Sequence, residues 1–378
     1  MRGRVIAEIL VVALAVSLLA WARHADIVWF LRHWSLDTRR LWVAHVWRWS
    51  AVAVAAALAV VVRPRVGRWV ERVGASEVVA WTVRIAFAVV LALGASELIL
   101  RAQGRPKKHD LRGSSDPEMN VPDPRLGWVW KGPYTRTTPQ AGRSIDFAFD
   151  EHHDRVRAAG DAEDPERPTV LLVGESIVAG HGLPWDESLA GLIGAALDLQ
   201  VVTLGVVGYG CDQAFVRLFD ALPRFRHVVA VVTIFFPALV DRVGWIDRPR
   251  LAFDADQPVV SPAWPGFWRD LRVIRVLNDL LPYRDEASIE LTGEIFRQTA
   301  RLARARGARA LFLTPHLGRG RPRGDGYLID DLLSRQGLEV VDPDWAFEPL
   351  EPGDVHPNAR ATRTMAAAVV KALRGEPP

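Results

Sequence analysis

The stretch Thr169-Val-Leu-Leu-Val-Gly-Glu-Ser-Ile-Val-Ala-Gly180 decides the fold of this chain. Five strand-forming residues run directly into a tight Gly-Glu-Ser turn, and a second glycine follows four residues after the serine. Open α/β sheets place their sites at the carboxyl edge of the strands, which is where this turn presents Ser176. The pattern therefore predicts that Ser176 occupies the position of a nucleophile.

Strand-like and helix-like runs alternate from Pro168 onward, which predicts a doubly wound parallel sheet in a three-layer α/β/α sandwich. The predicted strands are Thr169–Val173, Val201–Leu204, His227–Ile234, Ala308–Leu313 and Leu338–Val341. The predicted helices are Glu187–Leu197, Gln213–Leu222, Ala287–Arg306, Gly326–Ser334 and Pro357–Leu373. The last helix is expected to begin with Pro357 at its first helical position, where proline is favoured.

The first hundred residues predict a membrane region. Three apolar runs, Val5–Ala22, Leu41–Val62 and Val78–Leu100, are each long enough for a hydrocarbon core, which takes about 20 helical residues. A cleaved signal peptide is the alternative for the first run. Arginines between residues 63 and 72 place the second connection in the cytoplasm, although basic residues in the first connection and after the third run oppose this orientation. We expect a multi-pass protein of the cytoplasmic membrane whose later residues lie outside the cytoplasm.

Four charged residues lie within these runs. In an up-down-up arrangement Glu8 would pair with Arg84, and Arg48 with Glu97. Snorkelling to the interface and a substrate pathway are the other interpretations of the same charges.

The rest of the chain divides by composition. Residues 101–120 are polar and rich in helix breakers, which predicts a linker. Residues 121–167 are expected to form short strands in a small domain packed on the main one, which covers residues 168–378. The segment from about 244 to 285 interrupts the strand–helix rhythm with aromatic residues and prolines, and it is interpreted as an inserted cap.

Bulk composition excludes several classes of function. The formal net charge is +3, and the arginines are scattered, so a nucleic-acid surface is not indicated. The single cysteine, Cys211, rules out an intrachain disulfide and a CxxC metal site. The sequence also lacks the metalloprotease H-E-x-x-H pattern, and we predict neither a metal nor a cofactor.

A second motif, Gly353-Asp-Val-His-Pro-Asn358, supplies the groups that a weak serine nucleophile needs. His356 is predicted to act as the general base, and Asp354 to hold its tautomer. In the alternative, Asp354 caps the following helix and His356 acts alone. His181 and His316 are weaker candidates for the lining of the site.

Taken together, these motifs resemble the SGNH/GDSL hydrolases over roughly residues 122–374. Gly174-Glu175-Ser176 stands where that family has Gly-Asp-Ser, and Leu204-Gly-Val-Val-Gly-Tyr-Gly210 corresponds to its glycine-bearing loop. The resemblance implies a flavodoxin-like sandwich preceded by the transmembrane helices. It also implies an oxyanion hole formed by the backbone N–H groups of Ser176 and Gly208.

The chain departs from the family pattern after the third strand. Ala238 occupies the position where the family has an asparagine, and an alanine side chain cannot donate a hydrogen bond. Loss of one oxyanion donor costs about 10²–10³ in rate. Three interpretations are open: another group supplies the hydrogen bond, the enzyme is slow, or the site is inactive.

The sequence as a whole therefore predicts a membrane-anchored serine ester hydrolase that works through an acyl-Ser176 intermediate. The resemblance and the anchor suggest a small acyl ester on a cell-envelope glycan or lipid as the substrate. An O-acyltransferase that acts on a polysaccharide is one alternative, and a non-catalytic envelope binding module is another. The spans would also be able to pair with a membrane protein that delivers an acyl donor.

Overall fold

The computed structural model describes residues 77–102, 118–243, 248–254, 256–262, 271–274, 286–315, 325–343, 348–352 and 354–376. The chain forms two compact units. One unit contains Met1–Lys108 and Phe267–Leu277, and the other contains His109–Gly266 and Asn278–Pro378. The first two predicted spans, Val5–Ala22 and Leu41–Val62, lie outside the described residues.

Helix α1 (Glu77–Ala102) contains the third predicted span. Its residues Arg84–Ala102 have a mean hydropathy of 2.0, and among the described residues this is the one helix long and apolar enough to cross a membrane. Glu97 accepts hydrogen bonds from Arg101 Nε at 2.6 Å and from the backbone N–H of Val273 at 2.9 Å. Its predicted partner Arg48 lies outside the described residues, as does Glu8, so the proposed interhelical pairs stay predictions.

The second unit is built on one large sheet and two small hairpins. The strands are β1 (Asn120–Asp123), β2 (Gly127–Trp130), β3 (Tyr134–Gln140), β4 (Arg143–Phe149), β5 (Arg155–Val156), β6 (Thr169–Val173), β7 (Gln200–Thr203), β8 (Val228–Ile234), β9 (Arg250–Asp254), β10 (Gln257–Ser261), β11 (Arg309–Leu313) and β12 (Glu339–Val341). The large sheet has the order β12-β11-β8-β6-β7-β5-β4-β3, and β1 with β2 and β9 with β10 form separate antiparallel pairs.

Five strands of the large sheet are parallel and follow the flavodoxin-like order, with β7, β6, β8, β11 and β12 as strands 2-1-3-4-5. The prediction of a parallel sheet is confirmed for these five strands, but the sheet as a whole is mixed. β3, β4 and β5 continue the same sheet in antiparallel pairing. The physical reason is local, because β3 and β4 are joined by a tight turn in which Ala141 and Gly142 have positive φ angles, and a tight turn permits only antiparallel pairing.

Helices cover both faces of the parallel strands. They are α2 (Leu189–Leu197), α3 (Cys211–Ala221), α4 (Glu286–Ala305), α5 (Asp325–Leu332) and α6 (Ala359–Leu373). Leu171 and Val173 pack in one apolar cluster with residues of α3 and α4. Val170 and Leu172 pack in the other cluster, which contains residues of α2 and α6. Because successive strand residues point to opposite faces, this pattern gives the predicted three layers.

The predicted strand and helix bounds agree with the structure within two residues. One detail at the start of α6 was wrong. The helix is capped by Asn358, whose Oδ1 accepts from the N–H of Ala361 at 3.0 Å, so Pro357 precedes the cap and is not the first helical residue. An asparagine side chain satisfies a free helical N–H group there, which proline cannot do.

The predicted cap at about 244–285 is described only in part. Its described residues include the β9–β10 hairpin, which lies in the second unit. The aromatic residues Trp245, Trp264, Phe267 and Trp268 lie outside the described residues. The interpretation of this segment as a cap stays a prediction.

Candidate active site

Ser176 lies just beyond the carboxyl end of β6, and it is only 4% exposed. A Cβ atom on Gly174 would lie 2.3 Å from Ile234 Cγ2, so only glycine permits the chain to leave the sheet so closely. The backbone then forms a turn, in which the N–H of His181 donates to the carbonyl of Ser176 at 2.9 Å. The first α-helix after β6 begins at Leu189, two residues after the predicted start at Glu187.

The turn stays non-helical for a reason visible in its backbone. Gly180 and Gly182 have φ angles of 69° and 74°, which lie in the left-handed region that favours glycine. Pro184 follows in an extended conformation and precedes a short 3₁₀ segment, Trp185–Glu187. The nucleophile candidate is therefore presented by a glycine-dependent turn.

The three predicted catalytic side chains meet at this edge of the sheet. His356 Nε2 lies 2.8 Å from Ser176 Oγ, and His356 Nδ1 lies 2.7 Å from Asp354 Oδ1. The loop that carries the pair is held by a hydrogen bond of 2.7 Å from the N–H of Leu350 to the carbonyl of His356. Such a chain of hydrogen bonds is the arrangement by which a histidine activates a serine hydroxyl.

Asp354 is held in its charged form. Burial alone would raise its pKa, but hydrogen bonds from the backbone and ring of His356 outweigh this effect, and the pKa of Asp354 is lowered. Asn358, not Asp354, caps α6. The alternative in which Asp354 serves as the helix cap was therefore wrong, and its carboxylate is directed to His356.

The glycine-bearing loop after β7 packs directly against the Ser176 turn. A Cβ atom on Gly205 would lie 2.6 Å from Ala179 N and 2.7 Å from the carbonyl oxygen of Glu175. Gly208 has a φ angle of 84° and is half-buried, so its N–H is presented by a conformation that favours glycine. The contact brings the predicted oxyanion loop and the Ser176 turn together.

Two indole groups from β2 hold this loop, and sequence reasoning did not anticipate them. Trp128 Nε1 donates to the carbonyl of Val207 at 3.1 Å, and Trp130 Nε1 donates to the carbonyl of Gly205 at 2.9 Å. The Tyr209 hydroxyl donates back to the carbonyl of Trp128 at 2.6 Å. The repeated tryptophans in Gly127-Trp-Val-Trp130 were a visible signal, but only of a strand.

Glu175 and Arg242 form a charged pair beside the serine. The Glu175 carboxylate is within hydrogen-bonding reach of Ser176 Oγ, and Arg242 Nη1 lies 3.7 Å from Glu175 Oε2. A hydroxyl has a single proton, so Ser176 donates to Glu175 or to His356 at any one time. Arg242 ends the 3₁₀ segment Pro237–Arg242 that follows β8, the segment in which Ala238 is exposed. The segment after β8 thus brings a guanidinium group close to the carboxylate beside Ser176.

His181 lies against the catalytic histidine. The ring centroids of His181 and His356 are 4.3 Å apart. Burial, together with the charge of His356, lowers the pKa of His181 to about 4, so its ring is neutral at neutral pH. His316, the other weaker candidate, lies outside the described residues.

The side chain of Arg155, on β5, is hydrogen-bonded to the backbone of the Ser176 turn. Its guanidinium donates to the carbonyls of Ala179, Gly180 and Leu183, each at 2.8 Å. It also stacks over the ring of Phe147 at 4.3 Å. Because burial disfavours its charge, the pKa of Arg155 is lowered to about 9, yet the group still stays charged at neutral pH.

A second cluster of ionisable groups ties the antiparallel strands to the main domain. Oxygen atoms of Asp150, Asp154 and Glu163 lie within 4.8 Å of one another, a spacing that could hold a metal ion. Arg217 and Arg224 donate to the two oxygens of Asp154 at 2.7 and 2.6 Å. The guanidinium groups of Arg217 and Arg224 place positive charge beside these carboxyl groups.

No protein-family model matches this chain, and no curated protein matches it. Solved structures do match it. A carbohydrate acetylesterase from Sinorhizobium meliloti is 12% identical to this chain with a TM-score of 0.35. An aryl esterase from M. smegmatis is 13% identical with a TM-score of 0.35. Each of these two matches covers 55% of this chain and 98% of the matched chain. A member of the lipolytic protein G-D-S-L family from Veillonella parvula is 14% identical with a TM-score of 0.31, covering 54% and 96%. At these identities and TM-scores, the geometry of the site and not the likeness supports a function.

Proposed function

We propose that this chain is a serine ester hydrolase of the SGNH/GDSL type, with Ser176 as its nucleophile. The observation that carries the proposal is the hydrogen-bonded series Ser176 Oγ, His356 and Asp354, with distances of 2.8 and 2.7 Å, at the carboxyl edge of a flavodoxin-ordered sheet. Ser176 follows β6 and His356 lies 180 positions later in the chain, so their meeting is a property of the fold.

The proposed reaction begins when Ser176 Oγ attacks the ester carbonyl carbon while its proton passes to His356 Nε2. Asp354 stabilises the resulting imidazolium. The tetrahedral intermediate collapses when His356 returns the proton to the leaving alcohol, which leaves an acyl-Ser176 ester. Water then attacks this ester with His356 again as base, and the acid product departs as Oγ regains its proton.

The negative charge of the tetrahedral intermediate needs donors. The backbone N–H groups of Ser176 and Gly208 are the proposed ones. Ala238 offers no side-chain donor, and the Glu175 carboxylate next to Ser176 Oγ opposes the developing charge. Arg242, 3.7 Å from that carboxylate, is proposed to balance it and so to keep the site close to neutral before reaction.

The proposed substrate is a small acyl ester on a cell-envelope glycan or lipid. Support for this location comes from α1, which is long and apolar enough to hold the chain at a membrane. We place the catalytic domain outside the cytoplasm. Transfer to a sugar hydroxyl would use the same acyl-Ser176 and would differ only in the group that attacks it. The aligned hydrogen bonds of the three side chains favour catalysis over a purely binding role.

Fluorophosphonate labelling of the detergent-solubilised full chain tests the nucleophile. We expect one adduct, mapped by peptide mass to Ser176, and its disappearance in Ser176→Ala and in His356→Ala. Ser144→Ala and His152→Ala, both at exposed positions, are the matched controls and should label like the wild type. A folded wild-type protein that stays unlabelled would contradict the proposed function.

A further inference from the structure

We propose that Trp128 is a positioning residue for the oxyanion hole, acting through the peptide unit that joins Val207 to Gly208. The inference rests on the proposed function. Trp128 Nε1 donates to the carbonyl oxygen of Val207 at 3.1 Å. That carbonyl and the N–H of Gly208 are opposite ends of one planar peptide unit. The indole therefore determines the direction in which the proposed oxyanion donor points.

The same hydrogen bond also strengthens the donor. A hydrogen bond accepted by a carbonyl draws electron density toward its oxygen, and the N–H of that peptide becomes more positive. In a site shielded from water, this polarisation acts on any charge that faces the N–H. The indole N–H thereby increases the stabilisation that Gly208 offers to an oxyanion without touching the substrate.

Trp128 is rigid enough for this role. Its side chain is 2% exposed, and the ring of Tyr209 packs edge-on against it with a centroid distance of 5.6 Å. The guanidinium of Arg248 lies 5.4 Å from the centre of the indole. The Tyr209 hydroxyl returns a hydrogen bond to the carbonyl of Trp128, so the strand and the loop hold each other at two points.

The direction of the Gly208 N–H matters more for the proposed oxyanion hole because Ala238 has no side-chain donor. Among the described residues, the two proposed backbone donors then stabilise the charge that three groups would otherwise share. Removal of one donor costs about 10²–10³ in rate, and a small displacement of a reacting geometry also costs heavily. Loss of the indole N–H should weaken and misdirect one donor without removing it, so we expect a smaller effect of about tenfold.

Trp130 supplies a matched control. It lies on the same strand, is equally buried, and makes the same type of bond, from Nε1 to the carbonyl of Gly205 at 2.9 Å. The peptide unit that it holds carries the N–H of Val206, which is not a proposed oxyanion donor. Trp130→Phe therefore measures the general cost of losing one indole hydrogen bond to this loop.

The test compares Trp128→Phe with Trp130→Phe in the full chain, with p-nitrophenyl acetate as the probe ester. We expect Trp128→Phe to lower kcat about tenfold with KM changed less than about twofold, because the donor acts on the transition state and not on bound ester. Trp130→Phe should stay within about twofold of the wild-type kcat. The ³¹P chemical shift of the phosphonylated Ser176 adduct should move in Trp128→Phe and stay in place in Trp130→Phe.

Replacement of Trp128 by benzothienylalanine keeps the ring shape and removes only the N–H, so it answers the question if Trp128→Phe fails to fold. If the folded variants at both tryptophans had equal kcat values and unmoved ³¹P shifts, this inference would be overturned. Ser176-dependent turnover in the same experiment would still uphold the proposed function. A wild-type protein without Ser176-dependent turnover would overturn the proposed function, and this inference would fall with it.

Discussion

The parallel and the antiparallel regions of the second unit contribute different things to the candidate site. The parallel region supplies the groups proposed to react, namely Ser176 after β6 and the Asp354–His356 pair before α6. The strands before β6 supply side chains that bind backbone groups of the two site loops, as Trp128, Gln140 and Arg155 do. The difference shows that reactivity and loop geometry come from separate stretches of the chain.

The two regions also differ in the reason why their residues are buried. β6 is buried because it is apolar, and its packing follows from the hydrophobic effect. Arg155 is buried although it is charged, and three carbonyl acceptors compensate for the loss of water. Because this charge is costly to bury without its acceptors, we expect Arg155 and the Ser176 turn to depend on each other.

The largest effect within the parallel region is expected for Asp354→Asn. The substitution keeps the size of the side chain but removes the charge that stabilises the His356 imidazolium, so kcat should fall by about 10²–10⁴. The melting temperature should stay close to that of the wild type. Asp186→Asn, at an exposed position, is the control and should leave kcat unchanged. A loss of less than about tenfold in Asp354→Asn would mean that Ser176 and His356 act as a dyad.

A large effect from the antiparallel region is expected for Arg155→Met. Three buried carbonyls lose the hydrogen bonds that the guanidinium donates, so the free energy of unfolding should fall by about 2–4 kcal/mol, and kcat should fall about tenfold as the Ser176 turn loosens. Chemical denaturation and steady-state kinetics on the same preparation measure both. Arg143→Met removes an exposed arginine of β4 that pairs with Glu187 and should change stability by less than about 0.5 kcal/mol. If Arg155→Met destabilised the fold with kcat intact, Arg155 would serve stability alone.

A smaller effect is expected in the pH dependence of stability, through Glu163 of the carboxyl cluster that connects the two regions. Burial, followed by the charge of Asp154, raises the pKa of Glu163 to about 8 from its ordinary value of 4.5. Between these two values the folded state binds a proton that the unfolded state releases, so this group makes the protein less stable as the pH rises from about 5 to 8. Glu163→Gln should flatten that slope in melting temperatures measured across the range.

Glu166→Gln is the control for Glu163→Gln, because Glu166 is exposed and forms a surface pair with Arg226. Its melting temperatures should follow the wild-type curve at every pH. An unchanged slope in Glu163→Gln would show that Glu163 is ionised in the folded protein.

The smallest effect is expected for His181→Phe. The ring of His181 is neutral above its pKa of about 4, and phenylalanine can occupy the same position against His356. We expect kcat to fall less than about fivefold and the acid limb of the pH–rate profile to keep its position. An acid limb displaced by about one pH unit would show that His181 takes part in the proton transfers of the parallel region.

Much of the fold was predictable because its signals are local. The buried run of β6 and the alternation of strands and helices predicted element bounds within two residues of those observed. The motifs around Ser176 and His356 predicted which side chains would meet. The error at the start of α6 was also local in origin, because Asn358 takes the cap position next to Pro357.

The sequence by itself determined the parallel core and the identity of the candidate nucleophile, base and aspartate, because short-range periodicity and spacing encode both. Only the tertiary structure decided what holds them in place. The bond from Trp128 to Val207 joins residues 79 positions apart, and Arg242, which follows β8, meets Glu175, which follows the neighbouring strand β6. Contacts of this kind depend on how strands are ordered and paired, and that order follows from the packing of the whole domain, which no single segment of the sequence contains.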